Sequence, residues 1–111
     1  MIKVKDKTPS LNMAGVLKVC KAMAVDNAAE VLAKINQCAQ TNEEGKSIVK
    51  DVVTYAEIAA IGLNAGFKSS DNITEDDCME AMATFNDVND VIIWLTDSIV
   101  QVMNPAPADP N

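Results

Sequence analysis

The stretch IVKDVVTYAEIAAIGLNAG, residues 48–66, indicates the fold class because it carries a long helical pattern that is apolar on nearly every side. Its polar positions Lys50, Thr54 and Glu57 follow one narrow stripe, which Ser47 extends toward the N-terminus. A helix that is apolar around most of its circumference normally lies at the centre of a bundle or in an interface. We therefore predict that other helices surround it.

Capping patterns place the ends of this helix. Thr41 and Glu44 have the spacing of a capping box, so we predict a helix that runs from Thr41 to Ala65. Gly45 would lie in its first turn and shifts the expected start by several residues. Gly66 stands where a left-handed helix terminator is wanted.

Two further helices are predicted before this one. Ser10 is the expected N-cap of the first, which runs to about Val25. Asp26 and Asn27 then offer a stop and a new cap, with Glu30 in the first turn of the second helix. The apolar side of the second helix consists of Ala28, Val31, Leu32, Ile35 and Cys38.

The C-terminal half predicts two more helices. Residues 67–72 form the clearest loop, and Thr74 with Asp77 has the spacing of a capping box for the fourth helix. After an interruption at residues 86–87, a last helix is predicted from about Val88 to Met103.

The predicted fold class is therefore all-α, a compact bundle of about five helices in one domain over residues 10–103. Apolar residues make up 49% of the chain and aromatic residues only 4%, a composition that suits helices packed on helices. Residues 1–9 are expected to form a short strand or an extended N-terminal arm. Residues 104–111 form a proline-rich tail that cannot continue a helix and is expected to be disordered.

Charge and targeting patterns exclude several partners. The net charge is −7, with nine lysines and neither Arg nor His, so a nucleic-acid-binding surface is not expected. The N-terminus has lysines but no apolar run behind them, so it does not predict a signal peptide. Charges interrupt every apolar stretch well before membrane-spanning length. We expect a cytoplasmic protein that contacts neither nucleic acid nor membrane.

The sequence does not predict catalytic residues, a cofactor or a metal site. Without His, the usual Ser or Cys triads are impossible, and Cys20, Cys38 and Cys78 form no CxxC pair. The acidic run 71–80 lacks the central Gly and the alternating ligands of a calcium loop, and a helix start explains its carboxylates. The protein is expected not to be an enzyme.

The last helix carries the strongest indication of an interaction site. Its core-facing stripe consists of Val88, Val91, Ile92, Leu95, Ile99 and Val102. Ile93, Trp94 and Val100 fall largely outside that stripe. Either several neighbours surround this helix, or these three residues belong to an exposed patch for self-association or for a client. Met79, Met82 and Met103 would add an adaptable surface to such a patch.

Three segments of residues 48–103 form a pattern in sequence order: the helix containing Tyr55-Ala-Glu-Ile and ending Gly62-Leu-Asn-Ala-Gly, the start Ile73-Thr-Glu-Asp-Asp, and the closing apolar helix through Ile92 to Met103. By this pattern, residues 48–103 resemble the tail assembly chaperones of long-tailed bacteriophages. The family implies a small, acidic, helical, non-enzymatic protein. Such chaperones coat the tape measure protein and keep it soluble, and they often form homo-oligomers.

The contact residues expected on this basis are Trp94, Ile93, Tyr55, Phe67 and Val100. A holdase would bind client helices in apolar grooves, and its binding should survive high salt. Two other classes remain open. A small acidic adaptor or inhibitor would bind a basic site on a folded partner, and its affinity would fall as the salt concentration rises. A structural subunit of a virion would form a large fixed oligomer in isolation.

Overall fold

The computed structural model describes residues 2–41 and 43–104, and this part of the chain contains five α-helices, one 3-10 turn and one two-stranded hairpin. The predicted all-α class and helix number are confirmed. The elements are α1 (Met13–Met23), α2 (Ala28–Gln37), β1 (Ala39–Thr41), β2 (Ser47–Val49), α3 (Val52–Ala65), the 3-10 turn (Ser69–Asp71), α4 (Glu75–Ala81) and α5 (Phe85–Met103).

The starts of α2 and α4 confirm the predicted caps. The Asn27 side-chain oxygen accepts a hydrogen bond from the Glu30 N–H at 3.0 Å. At α4 the Thr74 hydroxyl accepts from the Asp77 N–H at 3.1 Å, while the Asp77 carboxylate accepts from the Thr74 N–H at 2.9 Å. Each bond satisfies a backbone group that the first helical turn leaves without a partner.

Two other helix starts lie away from their predicted positions. Asn12 caps α1 instead of Ser10, since its side-chain oxygen accepts from the Gly15 N–H at 2.9 Å. At α5, Thr84 and Asp87 form a capping box with bonds of 3.1 and 3.3 Å. Asp87 therefore lies inside the helix, and the predicted interruption at residues 86–87 is wrong.

The prediction of a helix beginning at Thr41 is also wrong. β1 and β2 pair antiparallel, with Ala39 opposite Val49. Gly45 has a φ of +80°, a conformation that side-chain-bearing residues rarely adopt, and it lies in the connection between the strands. The helix begins only at Val52, where the Asp51 carboxylate accepts from the Thr54 N–H at 3.0 Å. A short apolar run does not distinguish strand from helix, which explains the error.

Gly66 ends α3 for a reason other than the predicted left-handed turn. Its φ of −80° and ψ of 0° are right-handed. A Cβ on Gly66 would lie 2.8 Å from the Pro9 Cβ and 3.0 Å from the Trp94 Cη2. The position therefore requires glycine for space, because an N-terminal residue and α5 both approach the backbone there.

Helix α3 lies at the centre of the fold and packs against α1, α4 and α5, as its all-round apolar character predicted. The predicted inner stripe of α5 is confirmed as well. Val88, Val91, Ile92, Leu95 and Ile99 are buried and Val102 is partly buried. None of the helices in the described part of the chain has the length and hydropathy needed to span a membrane.

Residues 2–9 fold back onto the helices. Val4 and Lys7 exchange backbone hydrogen bonds of 3.0 Å around a two-residue turn, and Val4 is only 2% exposed. Two ion pairs connect the turn to α4 and to the 3-10 turn, Lys5 to Asp77 at 3.1 Å and Lys7 to Asp71 at 3.2 Å. The predicted arm is thus a small hairpin in contact with the core. Of the predicted tail, only Asn104 lies within the described residues.

Candidate interaction surface

The outer side of α5 exposes three large apolar side chains. The exposed fractions are 53% for Ile93, 44% for Val100 and 44% for Met103. Ile93 and Val100 are seven residues apart, so they lie on the same side of the helix at a separation of roughly 10 Å. The structure therefore brings these two predicted contact residues together on one exposed face, opposite the buried stripe.

Trp94 is divided between core and surface. It is partly buried against the core cluster, and its Cη2 lies close to the backbone of Gly66. Trp94 also lines a surface groove beside Ile93. The sequence left open whether Trp94 packs inside or faces a partner, and the fold gives it both environments.

Tyr55 and Phe67 lie in the core, with exposed fractions of 6% and 7%. The Tyr55 hydroxyl donates a hydrogen bond of 2.7 Å to the Asn89 side-chain oxygen, and burial raises the pKa of this tyrosine. The prediction that these two rings lie at a contact surface is wrong, because almost none of their area is accessible to a partner. Aromatic rings are typical of interfaces, but the same apolar area stabilises a core.

Phe85 is an exposed ring that the sequence analysis missed. It stacks on Tyr55 with ring centroids 6.0 Å apart and an interplanar angle of 18°, and it is 45% exposed. Its position just before the core stripe of α5 in the sequence could have indicated a ring at the edge of the core.

The methionines predicted to extend a surface patch differ in exposure. Met79 is 40% exposed, whereas Met82 is 8% exposed and does not belong to a surface patch.

A groove of about 460 Å³ opens between the N-terminal hairpin and α5. We call it the arm groove. Its apolar lining consists of Ile2, Ile93 and Trp94, and its acidic lining of Asp87 and Asp90. The carboxylate of Asp87 already accepts the Thr84 N–H, so Asp90 is the acid with its oxygens open to a partner.

A second groove, of about 340 Å³, lies between the start of α2 and the end of α5. We call it the terminal groove. Its lining is largely apolar and comprises Asn27, Ala28, Ala29, Leu32, Ile99, Val100, Met103 and Asn104. Ile93 thus faces one groove and Val100 the other, on the same side of one helix.

The three cysteines are free thiols buried in the core. Burial raises the pKa of all three, to about 11 for Cys78. These thiols are therefore protonated at neutral pH, which makes them weak nucleophiles and weak metal ligands. Within the described residues, no group of three or more Cys, Asp and Glu side chains is arranged to hold a metal ion.

Comparison with protein-family models, with curated proteins and with solved structures gave no match.

Proposed function

We propose that this chain is a non-enzymatic protein that binds a helical segment of another protein along the outer side of α5. The observation that carries this proposal is the alignment of Ile93 and Val100, exposed two turns apart and each bordering a groove. A client helix laid over them would bury apolar area at both points, which is the helix-in-groove mode of recognition.

The client that we propose is a phage tape measure protein, with the chain acting as a tail assembly chaperone in the host cytoplasm. The resemblance of residues 48–103 to that family supports this choice. A net charge of −7 supports it too, because an acidic exterior keeps a complex with a long apolar client dispersed. Covering the exposed halves of Ile93 and Val100 would contribute about 1 kcal/mol each.

The test is co-expression with the tape measure protein of the same phage, scored as the amount of client that stays soluble and co-purifies. The informative variant is Ile93→Ser combined with Val100→Ser. A matched control is Val53→Ser, since Val53 is 70% exposed at the start of α3 and lines neither groove. We expect the wild type and the control to retain the client at high salt, and the double variant to lose most of it.

Two results would contradict the proposal. One is that the client stays insoluble with the wild-type chain, and the other is that the double variant and Val53→Ser behave alike. We also propose, from the same resemblance, that the chain forms a homo-oligomer, and light scattering of the isolated chain tests this. A large fixed assembly would favour the virion-subunit alternative, whereas a small oligomer agrees with a chaperone.

A further inference from the structure

Charge is segregated along this chain. All nine lysines lie at or before Lys68, so residues 69–104 contain none. The same segment contains eight carboxylates, at Asp71, Glu75, Asp76, Asp77, Glu80, Asp87, Asp90 and Asp97. The segment that forms the 3-10 turn, α4 and α5 is therefore uniformly acidic, and two of its acids, Asp71 and Asp77, are already paired with lysines of the N-terminal hairpin.

The acids of α5 lie beside its exposed apolar residues. Asp90 lines the arm groove together with Ile93 and Trp94. Asp97 is seven residues beyond Asp90, so it lies on nearly the same side of the helix, about 10 Å further along. Both are exposed, and neither forms an ion pair with a lysine in the described part of the chain. This face of α5 thus combines apolar side chains with two unneutralised carboxylates.

We propose that the client segment received by the arm groove and the outer side of α5 is a cationic amphipathic helix. Its apolar side covers Ile93 and Trp94, and its lysine or arginine side chains lie beside Asp90 and Asp97. This inference rests on the proposed function and specifies the chemistry of the client. A neutral or acidic helix would place no counter-charge against these carboxylates and would desolvate them without compensation.

The two kinds of contact have different roles. Exposed ion pairs are weak and are screened as salt rises, so two of them raise the affinity by roughly threefold to tenfold at low ionic strength. The apolar contacts persist at high salt. The carboxylates therefore select which helix binds and speed its association, while Ile93 and Val100 retain it.

The probes are two synthetic amphipathic helices of about 18 residues, or roughly 27 Å, the length of α5. Both carry the same leucine side and no aromatic residue, and they differ only in having lysine or glutamine at heptad spacing on the polar side. Trp94 is the only tryptophan of the chain, so its fluorescence reports binding at the arm groove. We expect the lysine peptide to bind about threefold to tenfold more tightly than the glutamine peptide at low salt.

The variant that tests the site is Asp90→Asn with Asp97→Asn. Its matched control is Asp76→Asn with Glu80→Gln, which removes two charges from exposed positions of α4 outside both grooves. Asp87 is left intact because it caps α5 through the Thr84 N–H. We expect the α5 variant to lose the preference for lysine and the α4 variant to keep it, with all the differences vanishing at high salt.

The outcomes separate this inference from the proposed function. One outcome is that the wild type binds the two peptides equally and the Ile93→Ser/Val100→Ser variant binds neither. This outcome would overturn the cationic client and leave the helix-binding function standing. Equal effects of the α4 and α5 variants would also overturn it, because net charge alone would then explain the preference. Binding of neither peptide, together with an insoluble tape measure protein, would reject both.

Discussion

Gly62 in α3 lies so close to Leu95 in α5 that no side chain fits between the two helices. A Cβ on Gly62 would stand 2.5 Å from the Leu95 Cδ2 and 2.8 Å from its Cδ1. Leu95 is fully buried, with 0% of its side chain exposed, so it has no open space into which to turn. This contact allows α5 to approach the central helix closely, and the outer face of α5 is positioned by it.

Gly62→Ala is therefore expected to lower the free energy of unfolding by about 1–2 kcal/mol. Overpacking a core typically costs about 1–3 kcal/mol, and we expect the upper part of that range here because the added Cβ would lie 2.5 Å from the buried Leu95 side chain. This cost exceeds the gain of about 1 kcal/mol from the better helix propensity of alanine. Urea unfolding followed by circular dichroism measures the change. Ala33→Gly on the exposed side of α2 is the control for propensity alone.

The same pair offers a double-mutant cycle. Leu95→Ala should cost about 3 kcal/mol by leaving a cavity, and adding Gly62→Ala should then cost little because its methyl group occupies part of that space. Strict additivity of the two changes would show that the contact between Gly62 and Leu95 is not what constrains these helices.

The N-terminal hairpin should depend on burial more than on its ion pairs. Val4→Ala removes apolar area from a residue that is 2% exposed and is expected to cost about 1.5 kcal/mol. Lys5→Gln breaks an ion pair whose lysine side chain is 56% exposed, and we expect the unfolding midpoint to change very little. A larger effect of Lys5→Gln than of Val4→Ala would contradict this order.

Cys78 should make stability depend on alkaline pH. Burial raises the pKa of its thiol from 9.0 to about 11, so the folded chain holds this proton more tightly than the unfolded chain does. The resulting stabilisation is complete below pH 9 and is lost as the pH rises toward 11.

The measurement is a comparison of wild type and Cys78→Ala by urea unfolding at several pH values between 8 and 11. Other groups titrate in both proteins, so their contributions cancel in the difference. The stability advantage of the wild type is expected to narrow across this range. If the free energies of unfolding of the two proteins change in parallel with pH, the thiol has the same pKa in the folded and unfolded chains.

Trp94→Ala is expected to reduce stability as well as client binding. Part of the ring packs against Gly66, so its removal should cost about 2 kcal/mol, less than for a fully buried tryptophan. Trp94→Leu should recover much of that stability. If Trp94→Ala unfolds at the same temperature as the wild type, the ring does not contribute to the stability of the fold. That result would contradict the packing of the ring against Gly66.

The sequence by itself determined the features whose partners are three or four residues apart. The caps at Asn27 and Thr74 follow from a side chain meeting a backbone N–H within the same turn, and such contacts need no other part of the chain. The inner stripe of α5 was also predictable, since helical periodicity alone places those residues on one side. Among the candidate contact residues, Ile93 and Val100 were predictable for the same reason.

Only the tertiary structure decided the features that depend on residues far apart. The Tyr55 hydroxyl meets Asn89, 34 positions later, and this pairing places a predicted contact residue inside the core. Pro9, Gly66 and Trp94 meet from three distant parts of the chain, and Trp94 is left half-buried, with part of its ring lining the arm groove. The β1–β2 hairpin replaced a predicted helix turn because pairing between strands depends on the chain opposite, which local periodicity does not encode.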